Sequence, residues 1–152
     1  MGSYVSRSRW EVKATPEEAF ALVSDLTRSH EWATNPLTVV AETPGSVKVG
    51  AKYHSDAKFM GNDHVHGEQE VTACDPPARF SFVNVEHGGK EKYTHDFTVH
   101  AEGGKTIIER TITFDVPGVR GLGIRLVVPF ASKKFDKQAG EKLNSIFQGT
   151  AT

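Results

Sequence analysis

The strongest constraint on the fold is a series of short strands between Leu37 and Val116, separated by turn-forming residues. These segments alternate apolar and polar residues, and each ends at a turn that contains glycine or proline. The turns are Pro44-Gly45, Gly61-Asn62-Asp63, Pro76-Pro77, Gly88-Gly89 and Gly103-Gly104. Consecutive strands joined by such turns form an antiparallel meander. The sequence therefore predicts roughly six antiparallel strands here, with one more in the N-terminal segment "SRSRWEVKA".

Two of these turns predict strand registers that can be checked against each other. If Gly103-Gly104 is a two-residue turn, the pairs on one face are Val99 with Ile108, Phe97 with Arg110, His95 with Ile112, and Tyr93 with Phe114. If Gly88-Gly89 is the preceding turn, the same face holds Asn84 with Tyr93, Phe82 with His95, and Phe80 with Phe97. Register decides which side chains share a face, because successive residues of a strand point to opposite sides. Both turns place these residues on one buried face. The residues that alternate with them along the strands point to the opposite face and are mostly polar.

A third hairpin, around Gly61-Asn62-Asp63, predicts a second part of the inner face. Its expected pairs are Tyr53 with Val71, Ser55 with Gln69, Ala57 with Gly67, and Phe59 with Val65. The small pair Ala57 and Gly67 predicts a void where other rows carry rings. His64 and His66 fall on the charged outer face, where no third ligand converges, so the sequence predicts no metal site.

Helical signals stand before and after the strands. The segment "TPEEAFALVSDL" begins with Thr15 as cap, Pro16 at the first position and Glu18 completing a capping box. A second short helix or turn carries Trp32. From about residue 124 to 147 the helical period returns, with Pro129 at its start or at a kink, and one face is expected to hold Phe135, Ala139, Leu143, Ile146 and Phe147. This order predicts an α+β protein.

Size, charge and cysteine content exclude several classes of protein. The 152 residues suit one domain spanning the whole chain, 1–152. A net charge of −1 gives no case for nucleic acid binding. Cys74 is the single cysteine, so an internal disulfide is excluded, and no apolar run approaches the roughly 20 residues of a membrane span. We expect a cytoplasmic monomer or homodimer.

Four polar side chains interrupt the inner face: Asn84, Tyr93, His95 and Arg110. Burying an arginine costs several kcal/mol unless it is paired, and no inward-facing acid is predicted in its row. Arg110 therefore either bonds backbone carbonyls and stacks on Phe97, or meets water or an anionic ligand in a cavity. Histidine and tyrosine together can act as general acid and base, but the sequence contains no nucleophile motif, phosphate loop or paired carboxylates.

Several short motifs occur in the order typical of one superfamily. The helix ending at Asp25-Leu26 leads to Trp32 and Pro36, and is followed by "VGAKYH", "DPPARFSF" and the Gly104-Lys105-Thr106 entry to the last strand. In this order they resemble the START-like (SRPBCC) superfamily, most closely its polyketide cyclase/dehydrase-like branch. The resemblance implies the helix-grip (Bet v 1-like) fold, a curved antiparallel sheet of about seven strands around a long C-terminal helix, with two short helices after the first strand. It implies a cavity between sheet and helix and no cofactor, with Trp32 near the entrance or packing the short helices onto the sheet.

Three functions are compatible with these features. The leading hypothesis is a protein that binds a hydrophobic small molecule, either aromatic and polyketide-like or acyl and lipid-like. The predicted ligand-binding residues are Trp32, Tyr53, Phe59, Phe80, Phe82, Asn84, Tyr93, His95, Phe97, Arg110, Phe114 and Phe135. The glycine-rich stretch "PGVRGLG" (Pro117 to Gly123) is expected to be either a mobile lip or a plain connection.

The two alternatives use the same fold differently. In an enzyme of the cyclase or dehydratase type, His95 would move a proton while Tyr93 or Arg110 steadies an enolate. In a protein-interaction module the core would be filled and an apolar patch would be exposed elsewhere.

Overall fold

A computed structural model describes residues 4–59 and 62–150, and the side chains among them except those of 59, 62, 63 and 148–150. The described residues form seven strands, two α-helices and two short 3₁₀ helices. In order these are β1 (Tyr4–Val12), α1 (Pro16–Ser24), a 3₁₀ helix (Leu26–Glu31), β2 (Leu37–Ala41), β3 (Lys52–Phe59), β4 (Asn62–Asp75), β5 (Arg79–Glu86), a 3₁₀ turn (His87–Gly89), β6 (Glu91–Glu102), β7 (Lys105–Asp115) and α2 (Gly118–Thr150). The predicted α+β class is confirmed.

The described strands form one antiparallel sheet in the order β1-β7-β6-β5-β4-β3-β2. From β2 to β7 each strand pairs with its neighbour in sequence, as a meander requires. The first strand then pairs with the last, which places Trp10 opposite Ile108. The sheet buries one face beneath α1 and α2, because a sheet of this size has an apolar face to cover.

The registers predicted from Gly88-Gly89 and Gly103-Gly104 are both confirmed, pair by pair. The register predicted for the third hairpin is wrong by two residues. The observed pairs are Tyr53 with Gln69, Ser55 with Gly67, Ala57 with Val65, and Phe59 with Asn62, with an irregularity between Ala57 and Phe59. The pairing of β3 with β4 therefore continues to Phe59 and Asn62, so the connection between the two strands is shorter than the assumed turn. Because the shift is even, every side chain stays on its predicted face, but the expected void between Ala57 and Gly67 is not formed by facing residues.

The start of α1 follows the predicted capping box. Thr15 Oγ1 accepts from the amide of Glu18 at 3.1 Å, and Glu18 Oε1 accepts from the amide of Thr15 at 3.0 Å. The helix buries Phe20, Leu22 and Val23 against the sheet. It ends at Asp25, whose side chain caps the following 3₁₀ helix by accepting from the amide of Thr27 at 3.1 Å.

The C-terminal helix α2 begins earlier than predicted, at Gly118, and Pro129 lies inside it. The segment Pro117 to Gly123 is thus not a loop connection, because all but its first residue belongs to the helix, whereas its movement as a lip stays a prediction. Of the five residues predicted for the apolar face, Ala139, Leu143 and Phe147 are buried and Ile146 is partly buried against the core, whereas Phe135 is 42% exposed. The helix runs close to β1, and a side chain at Gly140 would bring a Cβ to 3.0 Å from Cδ1 of Trp10. Glycine at 140 therefore allows the close approach of helix and strand.

Candidate functional site

A cavity of about 550 Å³ lies between the inner face of the sheet and α2. Its wall is formed by residues of all seven described strands, the C-terminal part of α1, the following 3₁₀ helix and α2. The volume lies within the range of roughly 300–1,000 Å³ typical of small-molecule sites.

Nine of the twelve predicted ligand-binding residues line this cavity: Trp32, Phe82, Asn84, Tyr93, His95, Phe97, Arg110, Phe114 and Phe135. Tyr53 and Phe80 lie elsewhere in the core, where they are 5% and 0% exposed. The side chain of Phe59 lies outside the described residues. Whether the nine contact a ligand stays a prediction. The register argument correctly placed the seven of them that lie on β5, β6 and β7 on one face of the sheet.

Trp32 both packs the helical segment onto the sheet and lines the cavity. Its indole contacts Trp10 and Phe97 edge to face, at centroid distances of 5.8 and 6.0 Å, and it is 6% exposed. The packing role anticipated for Trp32 is thus observed, and the enclosed ring also forms part of the cavity wall, whereas its position near the entrance stays a prediction. Its Nε1 is buried and has no hydrogen-bond partner among the described residues.

Arg110 projects from β7 into the same wall. Its guanidinium lies 4.9 Å from the ring centre of Trp10 and 5.7 Å from that of Trp32. Arg110 therefore stacks on these two indoles, whereas the sequence had predicted stacking on Phe97. Its Nη2 lies 3.7 Å from Oδ1 of Asp136. Burial lowers the pKa of Arg110 to about 10, against the opposing effect of Asp136. The side chain remains charged near neutral pH, and its Nε has no partner in the described part of the chain.

Asp136 is the inward-facing acid that the sequence did not predict. It lies in a run of lysines that is typical of the solvated side of a helix, yet its carboxylate accepts from Ser8 Oγ at 2.7 Å, and its backbone carbonyl oxygen accepts from Trp10 Nε1 at 2.8 Å. The sequence spacing could have predicted this inward position, because residue 136 precedes Ala139 and Leu143 by three and seven positions and so lies on the same side of the helix.

His95 lies next to Arg110 in the cavity wall and is held as a neutral ring. It stacks on Phe82 at 4.4 Å with an interplanar angle of 9°. Burial, with a further contribution from Arg110, lowers the pKa of His95 to about 3. Near neutral pH the imidazole is therefore a donor and an acceptor but carries no charge.

Tyr93 belongs to a charged cluster at another part of the wall. Its hydroxyl donates to Glu91 Oε1 at 2.6 Å, and Arg120 Nε from α2 lies 2.5 Å from the other oxygen, Oε2. Burial, followed by the hydrogen bond to Glu91, raises the pKa of Tyr93. The group Glu86, His87 and Glu91 brings one potential metal-ligating atom from each within 4.8 Å of the others, a grouping that the sequence did not predict. The Glu91 carboxylate, however, is already bonded to Tyr93 and Arg120.

A row of polar side chains crosses β3, β4 and β5 on the cavity wall. Gln69 Nε2 donates to Ser55 Oγ and to Asn84 Oδ1, both at 2.8 Å, and Asn84 Nδ2 donates to Glu86 Oε2 at 2.8 Å. We call these four residues the polar row. Burial raises the pKa of Glu86. Only Asn84 was among the predicted site residues, although the alternation of β3 and β4 had already placed Ser55 and Gln69 on the inner face.

Gly67 provides the space that the polar row occupies. A Cβ at this position would lie 2.6 Å from Asn84 Oδ1, 2.9 Å from Ser55 Oγ and 3.0 Å from Gln69 Nε2. Separations below 3.0 Å are not tolerated without movement, so any larger residue at position 67 would displace at least one of these three side chains.

The outward side of α2 is unusually apolar in its first half. Val119, Leu122, Leu126 and Phe130 are 87%, 58%, 64% and 85% exposed. Their spacing of three and four residues puts them on one side of the helix. No helix among the described residues is long and apolar enough to span a membrane.

The seven-stranded sheet with a long C-terminal helix and an intervening cavity defines a Bet v 1-like helix-grip protein. Solved structures with this architecture include protein Ms6760 from Mycobacterium smegmatis, at 18% identity and a TM-score of 0.71 over 97% of this chain and 91% of that one. A protein from Rhodobacter sphaeroides gives a TM-score of 0.73 at 13% identity, over 97% and 95% of the two chains. Ara h 8.0201 gives 0.65 at 14% identity, over 95% and 99%. A search of the curated proteins gives no match.

The family is established by sequence. The model for "polyketide cyclase / dehydrase and lipid transport" matches residues 5–145. The chain belongs to this family, within the START-like (SRPBCC) superfamily, as the motifs predicted. The family is consistent with binding of a hydrophobic ligand.

Proposed function

We propose that this protein binds a hydrophobic small molecule, aromatic or acyl, in the cavity between the sheet and α2. The observation that carries the proposal is the cavity itself, about 550 Å³ lined by rings and aliphatic side chains with a few polar groups. A mostly apolar pocket with a small number of placed polar atoms is the usual form of a small-molecule site. The family description, which includes lipid transport, supports the same class of ligand.

The proposal is tested by asking whether the cavity holds anything. Native mass spectrometry of the purified protein, alongside extraction of a denatured sample, should release a reproducible small-molecule mass. The neutral dye Nile red should bind to protein freed of this molecule and fluoresce in an apolar site.

A matched pair of variants assigns dye binding to the cavity. Ala57 lines the cavity, whereas Ala101 is exposed on β6. Ala57→Phe should weaken Nile red binding at least about tenfold, because the added ring fills space that the ligand needs, while Ala101→Phe should bind like the parent. If a folded parent protein carries no small molecule and binds no dye, the proposal is wrong.

The enzymatic alternative has less support than simple binding. It requires a group that exchanges a proton near neutral pH, and His95 was the candidate. A pKa of about 3 keeps that ring neutral and makes it a weak base at the pH of most cells. Tyr93 is likewise shifted away from neutrality, since its pKa is raised.

The interaction-module alternative predicted an exposed apolar patch and a filled core. The patch is present on the outward side of α2. The cavity between the sheet and part of α2 argues against a filled core. Ligand binding is therefore the better supported function. A single domain, a cytoplasmic location and a monomeric or homodimeric state stay predictions, and light scattering will test the last.

A further inference from the structure

Three buried polar atoms of the cavity wall have no hydrogen-bond partner among the described residues. They are Trp32 Nε1, Arg110 Nε and Gln69 Oε1, and all three residues line the cavity. Two of these atoms are donors and one is an acceptor. A buried polar group without a partner costs about 1–3 kcal/mol, so such groups are rare outside sites that are completed by another molecule.

The two donors belong to side chains that contact each other. The guanidinium of Arg110 lies 5.7 Å from the ring centre of Trp32, and burial leaves the indole 6% exposed. Asp136 reaches Nη2 of Arg110 but only at 3.7 Å, and no described atom reaches Nε. An oxygen atom in the cavity that accepts from both side chains would satisfy this part of the wall.

The polar row fixes the orientation of the Gln69 side-chain amide, which carries the acceptor Oε1. Glu86 accepts from Asn84 Nδ2, which leaves Asn84 Oδ1 as the atom that faces Gln69. Gln69 must therefore present Nε2 to Asn84, where it also reaches Ser55, and its Oε1 is left without a donor. The amide cannot reverse without placing two oxygens against each other. A hydroxyl or N–H group in the cavity would satisfy it.

We propose, on the basis of the proposed function, that the ligand is an apolar ring or acyl compound with two polar ends. One end is an acceptor oxygen, of a carboxylate or a ketone, that binds Arg110 and Trp32. The other is a hydroxyl group that donates to Gln69. Hydroxylated aromatic or acyl carbonyl compounds have this chemistry, whereas plain hydrocarbons do not.

A series of compounds with one ring system separates the two ends. Naphthalene carries neither group, naphthol the hydroxyl, naphthoic acid the carboxylate, and hydroxynaphthoic acid both. Methyl naphthoate keeps the carbonyl oxygen without the charge and so distinguishes a carboxylate from a ketone. Affinity is measured by displacement of Nile red from protein freed of its own ligand. We expect each polar group to improve affinity about tenfold, the equivalent of one satisfied buried group.

Variants assign each preference to its side chain. Gln69→Leu should abolish the advantage of the hydroxyl and leave that of the carboxylate. Arg110→Met should do the reverse, and Trp32→Phe, which keeps the ring in place, should reduce the carboxylate preference without removing it. Arg79→Met changes an exposed arginine of β5 and should leave both preferences intact.

Each outcome bears on a different claim. If no compound displaces the dye and the dye itself does not bind, the proposed function fails. If naphthalene binds as tightly as hydroxynaphthoic acid, the protein binds hydrophobic molecules but water satisfies the three atoms, and the inference about the ligand is wrong. If the preferences exist but persist in Gln69→Leu and Arg110→Met, other groups recognise the ligand, which also overturns it.

Discussion

The neutrality of His95 makes the stability of this protein depend on pH in a way that a single substitution should remove. The ring stacks on Phe82 from β5 and lies near Arg110 from β7, whose partner Asp136 comes from α2. Folding lowers the pKa of His95 from 6.5 to about 3, chiefly through burial. In the unfolded chain the ring takes up a proton below about pH 6.5, whereas in the folded protein it does not.

The sign and size of the effect follow from this difference. The stabilising contribution is fully present above the unfolded pKa and is lost as the pH falls towards the folded one. While only the unfolded state is protonated, stability falls by about 1.4 kcal/mol per pH unit. His95→Phe cannot titrate and preserves an aromatic stack on Phe82. Relative to the parent, it should gain roughly 2 kcal/mol between about pH 6.5 and pH 4.5.

The measurement is urea denaturation of parent and variant at several pH values in this range. Other groups change stability equally in both proteins, so the difference between the two curves isolates His95. His30→Phe, a substitution of an exposed histidine, should run parallel to the parent. If the curves of the parent and His95→Phe run parallel instead, the cavity is hydrated well enough for the imidazolium to form, and the argument from burial is refuted.

Three further substitutions test the polar groups around the cavity by the same denaturation assay. Asp136→Asn should destabilise the protein by about 2 kcal/mol, less than the loss of a fully buried pair, because 18% of the Arg110 side chain and 26% of the Asp136 side chain are exposed. Adding Arg110→Met should recover most of this loss, and simple additivity of the two effects would contradict the reasoning. Gly67→Ala should cost about 1–3 kcal/mol, because its Cβ would lie 2.6 Å from Asn84 Oδ1, and an unchanged stability would mean that the polar row moves freely. Glu86→Gln should stabilise the protein at neutral pH, because burial raises the pKa of Glu86 and penalises its ionised form. The advantage of the variant should vanish below the ordinary pKa of 4.5, where the carboxyl group is protonated in both states. An advantage that persists there would show that it does not come from the ionised form of Glu86.

The sheet could be predicted in detail where its registers depend on local turns. Gly88-Gly89 and Gly103-Gly104 each close a hairpin with few residues, so pairing follows from counting along the chain. The hairpin between β3 and β4 departs from this counting because its strands pair closer to the turn and contain an irregularity. Counting still identified the inner face, because a register shift of two residues leaves every side chain on the same face of the sheet.

The polar partners of the cavity could not be predicted in the same way. Arg110 and Asp136 are 26 positions apart and meet only because α2 lies against β1, with Gly140 next to Trp10. Helical spacing gives the side of α2 on which Asp136 lies, but not which strand that side meets. The contact between Arg120 and Glu91 depends on the same placement of the helix.

The distribution of side chains on α2 explains why the space beneath it remains open. In the C-terminal half, Leu143 and Phe147 fill the interior, and the helix is held by apolar packing. In the N-terminal half the largest apolar side chain, Phe130, points outward, and the inward positions include the smaller Val128 and Ala131, which line the cavity. The charged contact between Arg120 and Glu91 joins that half to the sheet. Because such contacts can hold a helix in place without filling the space beside it, the sequence maintains a cavity where a packed core would otherwise form.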